Sequence, residues 1–285
     1  MKRLLKYLKK YIKECVLGPL FKLIEATFEL LVPLVVARII DVDIAGADKA
    51  GAARDGGILI LLGLLGLAFS VTAQYFSAKA AVGFAADLRR SLFAKIQTLS
   101  YSDIDEIGTA SLITRMTSDV NTLQNGVNMV LRLFLRSPFI VFGAAAMAFT
   151  VDKRLALIFV VVIPVLAAVV YGIMFVTMPL FKKVQKKLEG VLGITGDMLS
   201  GARVIRAFCS EDEECERFTA ENWELAKYQK RAGRLSALTN PLTYVIINGA
   251  LIVLIWTGAL RVDTGLISVG GVIALYNYMS RVNAK

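Results

Sequence analysis

Two glutamates lie one helical turn apart in an otherwise apolar stretch near the start of the chain. Glu25 and Glu29 fall within residues 16–40, and side chains four positions apart are neighbours on a helix. Carboxylates inside an apolar segment are costly unless they face cations or water. The pair therefore indicates either a wet cavity that attracts cationic substrates or a structural charge cluster. The cations predicted for such a cluster are Lys22, Arg132 or Arg136.

Other polar and aromatic side chains also fall within apolar stretches. Asn248 and Asn277 either line a substrate pathway or form hydrogen bonds between helices. Tyr244 and Tyr276 either offer aromatic surface to a drug-like ligand or pack within the protein. The tentative pathway residues are Glu25, Glu29, Arg132, Arg136, Tyr244, Asn248, Tyr276 and Asn277.

The chain carries little that could catalyse bond chemistry. It contains no histidine, which excludes histidine-based catalysis and histidine metal sites. Residues 196–203 have the glycine spacing of a phosphate-binding loop, but Ala202 stands at the lysine position and no strand precedes it. We therefore predict no catalytic residue, no metal site and no cofactor within this chain.

The elements that must position these residues are membrane-spanning helices. The 285 residues are 56% hydrophobic, with a mean hydropathy of +0.62, which predicts an all-α polytopic membrane protein. A span needs about 20 apolar residues. Stretches without charge cover residues 58–78, 155–181 and 235–260, and less perfect stretches cover 16–40, 131–151 and 264–280. We predict six spans within residues 16–285, with the last apparently truncated, as expected for a fragment of a longer protein.

The distribution of lysine and arginine predicts the orientation. These residues concentrate in 1–15, 79–126 and 178–241, which places those segments on the cytoplasmic side of the plasma membrane. The same bias explains the net charge of +10. Residues 1–15 are predicted to form an amphipathic interfacial helix. We expect no nucleic-acid partner, because acidic residues interleave with the basic ones and no nucleic-acid-binding module is present.

In each long cytoplasmic segment, the sequence pattern predicts two helices joined by a turn. In residues 79–126 the turn ends at Gly108, which breaks the helix. In residues 178–241, Ser210 and Glu213 have capping-box spacing, so a new helix is predicted to start there. Apolar side chains far from any membrane suggest docking with a partner. Those at the two tips are Tyr101, Ile104, Phe208 and Cys209.

The chain resembles the transmembrane half of ATP-binding-cassette exporters, and most closely the bacterial heterodimeric multidrug half-transporters. The resemblance covers essentially the whole chain. The stretches that carry it are Ala-Arg-Ile-Ile-Asp at 37–41, Ala-Asp-Leu-Arg-Arg at 86–90, Ser-Leu-Ile-Thr-Arg-Met-Thr-Ser-Asp-Val at 111–120 and Gly-Ala-Arg-Val-Ile-Arg-Ala-Phe at 201–208.

The resemblance implies that the two hairpin tips are coupling helices that dock on nucleotide-binding domains, which this chain lacks. Those domains would bind ATP and Mg. The implied coupling residues are Tyr101, Ser102, Asp103, Ile104, Asp105 and Glu106 in the first tip, and Phe208, Cys209, Ser210, Glu211 and Asp212 in the second. The other implied partners are a second transmembrane half, with a heterodimer favoured over a homodimer, membrane lipids and a hydrophobic small-molecule substrate. A bacterial source is expected.

The resulting functional prediction is the permease half of an ATP-driven exporter. It would move hydrophobic or amphipathic substrates, multidrug or lipid-like, outward by alternating access, and the complete transporter would be an ATPase-coupled translocase. Two alternatives remain at this point. One is a proton-coupled secondary transporter that uses Glu25 and Glu29. The other is a membrane scaffold whose hairpins bind a signalling protein without moving any solute.

Overall fold

The computed structural model describes residues 5–283, and the regular structure within that range is helical. This confirms the all-α prediction. The predicted interfacial helix is described from Leu5 onward, and its first four residues lie outside the described range. The α-helices are α1 Leu5–Leu8, α2 Ile12–Arg38, α3 Lys49–Ile96, α4 Tyr101–Ile107, α5 Thr109–Thr114, α6 Val120–Met129, α7 Arg136–Val151, α8 Lys153–Ser200, α9 Ala202–Ala207, α10 Glu211–Ala237, α11 Thr239–Asp263 and α12 Val269–Asn283.

Within residues 5–283, three π-helical segments interrupt the regular helices. They are Ile39–Ile44, which follows α2, Arg115–Asp119, which follows α5, and Val130–Phe134, which precedes α7. A π-helical turn holds an extra residue, so side chains on either side of it face differently from those of an unbroken α-helix. The hydrophobic pattern did not predict these segments.

Four helical runs in the described range are long and apolar enough to cross a membrane. They are Lys49–Ile96, Thr109–Val151, Lys153–Ser200 and Glu211–Asp263. The protein is therefore a polytopic membrane protein. Helix α2 carries several charged residues, and α12 has only 15 residues in the described range. The count of six spans accordingly stays a prediction.

One compact unit comprises Met1–Phe159 together with Leu254–Lys285. Within it, α2 packs along α3, and α12 packs on both α2 and α7. Alanines with no exposed surface, such as Ala26, Ala80 and Ala144, let these helices approach closely. The buried Tyr278 hydroxyl donates a hydrogen bond of 2.7 Å to the Leu30 carbonyl oxygen, which joins α12 to α2.

The second compact unit comprises Val160–Val253. Here α10 lies beside α8, where the Lys187 ammonium is 3.1 Å from a Glu221 carboxylate oxygen. Gly190 faces Glu221 at this contact, and a Cβ on that glycine would stand 3.2 Å from the same carboxylate. Val191 and Leu225 are buried on the two helices. The contacts between α8 and α10 form the hairpin predicted for residues 178–241.

Candidate substrate and coupling sites

The two glutamates of α2 lie in a cluster of ionised side chains. Lys22 pairs with Glu25 on the same helix. Arg136 of α7 lies 2.6 Å from a Glu29 oxygen and 3.7 Å from a Glu25 oxygen, and Arg281 of α12 lies 3.8 Å from Glu29. Among the described residues, three cations thus surround two carboxylates. The Arg136 Nε atom is buried and has no hydrogen-bond acceptor among residues 5–283.

Arg132 does not join this cluster. Its Nη1 atom donates a hydrogen bond of 3.0 Å to the side-chain oxygen of Gln74 on α3. Arg132 lies within the π-helical segment Val130–Phe134, which holds an extra residue, so Arg132 and Arg136 do not share the face that a regular helix would give them. Arg281, which the sequence did not single out, reaches Glu29 instead. Nothing in the local sequence around Arg281 signals this long-range contact.

An open groove of about 430 Å³ lies between α2 and α3, next to the glutamates. Most of its wall is aliphatic or aromatic, and its polar groups are two carboxylates and one hydroxyl. A surface of this composition suits an amphipathic molecule with a positive or hydrogen-bonding head. The groove is lined by Glu25, Phe28, Glu29, Val32, Leu59, Leu62, Gly63, Gly66, Leu67 and Ser70.

The other tentative pathway residues make local contacts. The Asn248 amide donates to the Tyr244 carbonyl oxygen at 2.8 Å, and the Asn277 amide donates to the Ile273 carbonyl oxygen at 3.0 Å. Tyr244 and Tyr276 are exposed. Asn248 belongs to the second unit and Asn277 to the first, and a pathway role for these four residues stays a prediction.

The first hairpin tip is a short helix closed by side chains at its start. Ser100 and Asp103 form a capping box: the Ser100 hydroxyl accepts from the Asp103 N–H at 3.2 Å, and the Asp103 carboxylate accepts from the Ser100 N–H at 3.1 Å. Hydrogen bonds from the Ser100 hydroxyl and N–H lower the pKa of Asp103. Gly108 ends the helix with φ at 80°, as predicted. Tyr101 leaves 90% of its surface exposed.

The second tip is organised by its backbone. Helix α9 ends in a Schellman motif, in which Cys209 has a φ of 51° and the Ser210 N–H donates to the Ile205 carbonyl oxygen at 3.0 Å. Helix α10 begins at Glu211, as predicted, but the predicted capping box is wrong. The Ser210 side chain caps no N–H of α10 and instead lies 3.5 Å from the Phe208 carbonyl oxygen. Phe208 is 77% exposed.

The reason for the missing cap lies in the conformation of Ser210. An N-cap residue normally has an extended backbone, which turns its side chain toward the first free N–H groups. Ser100 has this conformation, with φ −72° and ψ 160°. Ser210 has φ −99° and ψ 20° because it also completes the turn that ends α9.

Known proteins similar to this chain agree with this architecture. The family described as the ABC transporter transmembrane region matches residues 15–284. This chain belongs to that family. It is 32% identical over 263 residues to an uncharacterized ABC transporter ATP-binding protein of Mycobacterium tuberculosis (strain CDC 1551 / Oshkosh), covering 92% of this chain and 45% of the relative.

Two further relatives extend the similarity. The uncharacterized ABC transporter ATP-binding protein YfiB of Bacillus subtilis (strain 168) is 31% identical over 282 residues, which cover 99% of this chain and 49% of the relative. An ATP-dependent lipid A-core flippase of Desulfotalea psychrophila (strain LSv54 / DSM 12343) is 30% identical over 193 residues, covering 68% of this chain and 34% of the relative. The chain thus spans less than half the length of the relatives it matches.

Proposed function

We propose that this chain is the permease half of an ATP-driven ABC exporter. The family match over residues 15–284 carries the proposal. In this scheme, nucleotide-binding domains outside these residues bind ATP and Mg. Two permease halves together enclose one substrate pathway. A heterodimer is favoured, with the hairpins on the cytoplasmic side of a bacterial plasma membrane. Closure of the nucleotide-binding domains would switch the permease between two rigid-body states.

The two hairpin tips would transmit this motion. Tyr101 and Phe208 support the proposal because each presents a large, exposed aromatic surface at the end of a long helical hairpin. Buried aromatic anchors of this kind supply much of the binding free energy at protein interfaces. The other residues of the docking surfaces are Ser102, Asp103, Ile104, Asp105 and Glu106 in the first tip and Cys209, Ser210, Glu211 and Asp212 in the second.

The substrate is proposed to be a hydrophobic or amphipathic molecule, drug-like or lipid-like. The groove between α2 and α3 supports this class, because its wall is apolar and Glu25 and Glu29 stand at one side of it. The relative from Desulfotalea psychrophila is named as a lipid A-core flippase, which adds weight to a lipid-like cargo. With Arg136 and Arg281, the same cluster has more cationic than anionic side chains. Anionic head groups are therefore also compatible with it.

Reconstitution with the ATPase partner tests the proposal. Phe208→Asp and Tyr101→Asp should each weaken docking by at least about tenfold, because each places a charge in an apolar contact. Substrate-stimulated ATPase activity and transport should fall together. The matched controls Phe208→Tyr and Tyr101→Phe should keep both activities. Unchanged coupling in both aspartate variants would overturn the docking role, and transport that needs a proton gradient but no ATP would favour a secondary transporter.

A further inference from the structure

The residues just before α2 lie against the part of α3 that leads to the first tip. The Tyr11 hydroxyl donates a hydrogen bond of 3.2 Å to the Asp87 carboxylate, and the Lys10 ammonium lies 3.2 Å from the same oxygen. Asp87 belongs to the stretch Ala-Asp-Leu-Arg-Arg at 86–90, to which the proposed function assigns no role. Its carboxylate therefore has a specific partner in a distant part of the chain.

Gly83 provides the place where the Tyr11 ring rests on α3. A Cβ on Gly83 would collide with carbon atoms of that ring and would lie 2.7 Å from its hydroxyl oxygen, closer than non-bonded atoms normally approach. Positions 83 and 87 are neighbours on a helix surface. The ring thus contacts α3 at Gly83, and its hydroxyl reaches Asp87 one turn further along.

Apolar side chains extend this contact to both helices of the first hairpin. Phe84 and Leu88 of α3 form a buried cluster with Val120, the first residue of α6. Tyr7 and Leu8 pack against the same cluster. The residues before α2 therefore contact the first hairpin where its descending and ascending helices meet.

The same residues continue directly into α2, which is also fixed to α3. Glu14 pairs with Lys79 at 3.0 Å. Gly18 lies so close to Ser77 that a Cβ on this glycine would stand 2.6 Å from the serine Oγ. Further along, α2 forms one wall of the open groove beside the glutamates. The contact with α3 therefore connects the base of the first hairpin to the helix that lines this groove.

The ascending helix of the hairpin is irregular next to this contact. The π-helical segment Arg115–Asp119 lies between the first tip and Val120, and π-helical turns interrupt the regular hydrogen bonding of a helix. A hairpin held at its base by the contact between α3 and α6 alone would bend there when its tip moves. Its motion would then be absorbed within the hairpin and would not reach α2.

We propose that the residues before and at the start of α2 form an N-terminal clasp that couples the first hairpin to α2. This inference rests on the proposed function. When a nucleotide-binding domain moves the first tip, the clasp makes the hairpin base and α2 move as one body, through a contiguous set of packed side chains. Gly83 and Asp87 are positioning residues, since both hold Tyr11 in place. The clasp residues are Tyr7, Leu8, Lys10, Tyr11 and Glu14.

Amide hydrogen exchange of the full chain in detergent tests the clasp itself. Gly83→Ala should raise exchange in residues 9–20 by at least about tenfold, because the added methyl group displaces the Tyr11 ring. Tyr11→Phe keeps the ring but loses one hydrogen bond, so the rise should be about threefold to tenfold. Exchange in residues 58–78 should not rise in Gly83→Ala, because alanine is the better helix former. The control Gly57→Ala, where a Cβ meets no atom within 4 Å, should leave the clasp unchanged.

Exchange in the complex with the ATPase partner tests the coupling. In the wild type, ATP with Mg should change exchange both in residues 101–107 of the first tip and in residues 21–30 of α2. In Gly83→Ala the tip should still respond, because its docking residues are unchanged, and the α2 response should be lost. Asp87→Ala should lose the α2 response as well. Asp87→Asn should retain most of it, because the amide oxygen still accepts from the Tyr11 hydroxyl.

The possible failures of the two ideas are distinguishable. Wild-type exchange in residues 9–20 of Gly83→Ala would show that the clasp is not formed. An α2 response to ATP that persists in Gly83→Ala while the clasp is open would make these residues an anchor without a role in coupling. An absence of any ATP response in both tips of the wild type would instead contradict the docking role in the proposed function, and the inference would fail with it.

Discussion

The two hairpin tips have similar exposed aromatic residues but are held in shape by different parts of the chain. In the first, the side chains of Ser100 and Asp103 satisfy the free N–H groups at the start of the tip helix. In the second, the backbone of Cys209 takes a left-handed conformation and closes α9 without help from a side chain. Mutations and pH should therefore act on the two tips in different ways.

The largest effect is expected at Gly108, which ends the first tip helix with a positive φ. Gly108 has φ 80° and ψ 135°, which L side chains rarely adopt. Gly108→Ala should destabilise the tip by about 1–3 kcal/mol through strain alone, since a Cβ there would meet no atom within 4 Å. Amide hydrogen exchange of residues 101–107 measures the change.

The control for this variant is Gly126→Ala. Gly126 lies inside α6, and a Cβ there also meets nothing within 4 Å. Alanine is the better helix former, so this variant should be stabilised by about 0.5–1 kcal/mol. Equal exchange rates in the wild type and Gly108→Ala would contradict the strain argument.

The side-chain cap gives the next largest difference between the tips. Ser100→Ala should cost about 1 kcal/mol, the usual value of an N-cap, and should speed amide exchange in α4. Ser210→Ala should change exchange at the start of α10 very little, because the Ser210 side chain caps no N–H there. Ser100→Asp should retain most of the protection. Comparable losses at both serines would remove the distinction between the tips.

A smaller effect of opposite sign is expected at Cys209. Glycine adopts a left-handed conformation without steric cost, so Cys209→Gly should stabilise the second tip by about 0.5–1 kcal/mol. The chain already uses glycine in this way at Gly265, where φ is 69° after α11. Cys215→Gly, inside α10, should destabilise instead. Thermal unfolding in detergent compares the two variants, and a loss of stability in Cys209→Gly would contradict the assignment.

The smallest effect is the response of the first tip to acid. The pKa of Asp103 is lower in the folded state, so its contribution to stability is complete above its unfolded pKa of about 3.9 and is lost as the pH falls through the lower folded value. Exchange in residues 101–107, corrected for intrinsic rates, should therefore rise below about pH 4. Asp103→Ala should abolish this pH dependence, and a dependence that survives in this variant would assign it to another group.

Features that depend on neighbouring residues could be predicted from the sequence. Gly108 ends the first tip and Glu211 begins α10, because glycine and the polar residues near Ser210 act within a few positions. Even so, the spacing of Ser210 and Glu213 predicted the wrong hydrogen bond. Spacing does not reveal the backbone conformation of Ser210, which depends on how the preceding helix ends.

Features that depend on distant parts of the chain could not be predicted. Arg281 reaches Glu29 only because α12 packs on α2. The charge pattern left open a wet cavity or a charge cluster at Glu25 and Glu29. Of the three cations it offered for a cluster, Lys22 and Arg136 contact these glutamates, whereas Arg132 contacts Gln74.

The length of α3 has a mechanical consequence. Its 48 residues extend for about 72 Å if the helix is straight. The Asp43–Asp48 turn precedes one end and the first tip follows the other. A tilt of about 5° around its midpoint would displace the two ends by about 3 Å in opposite directions. Because the two ends move together, any contact that holds the start of α3, such as the ion pair between Arg38 and Asp55, would also limit the movement of the first tip.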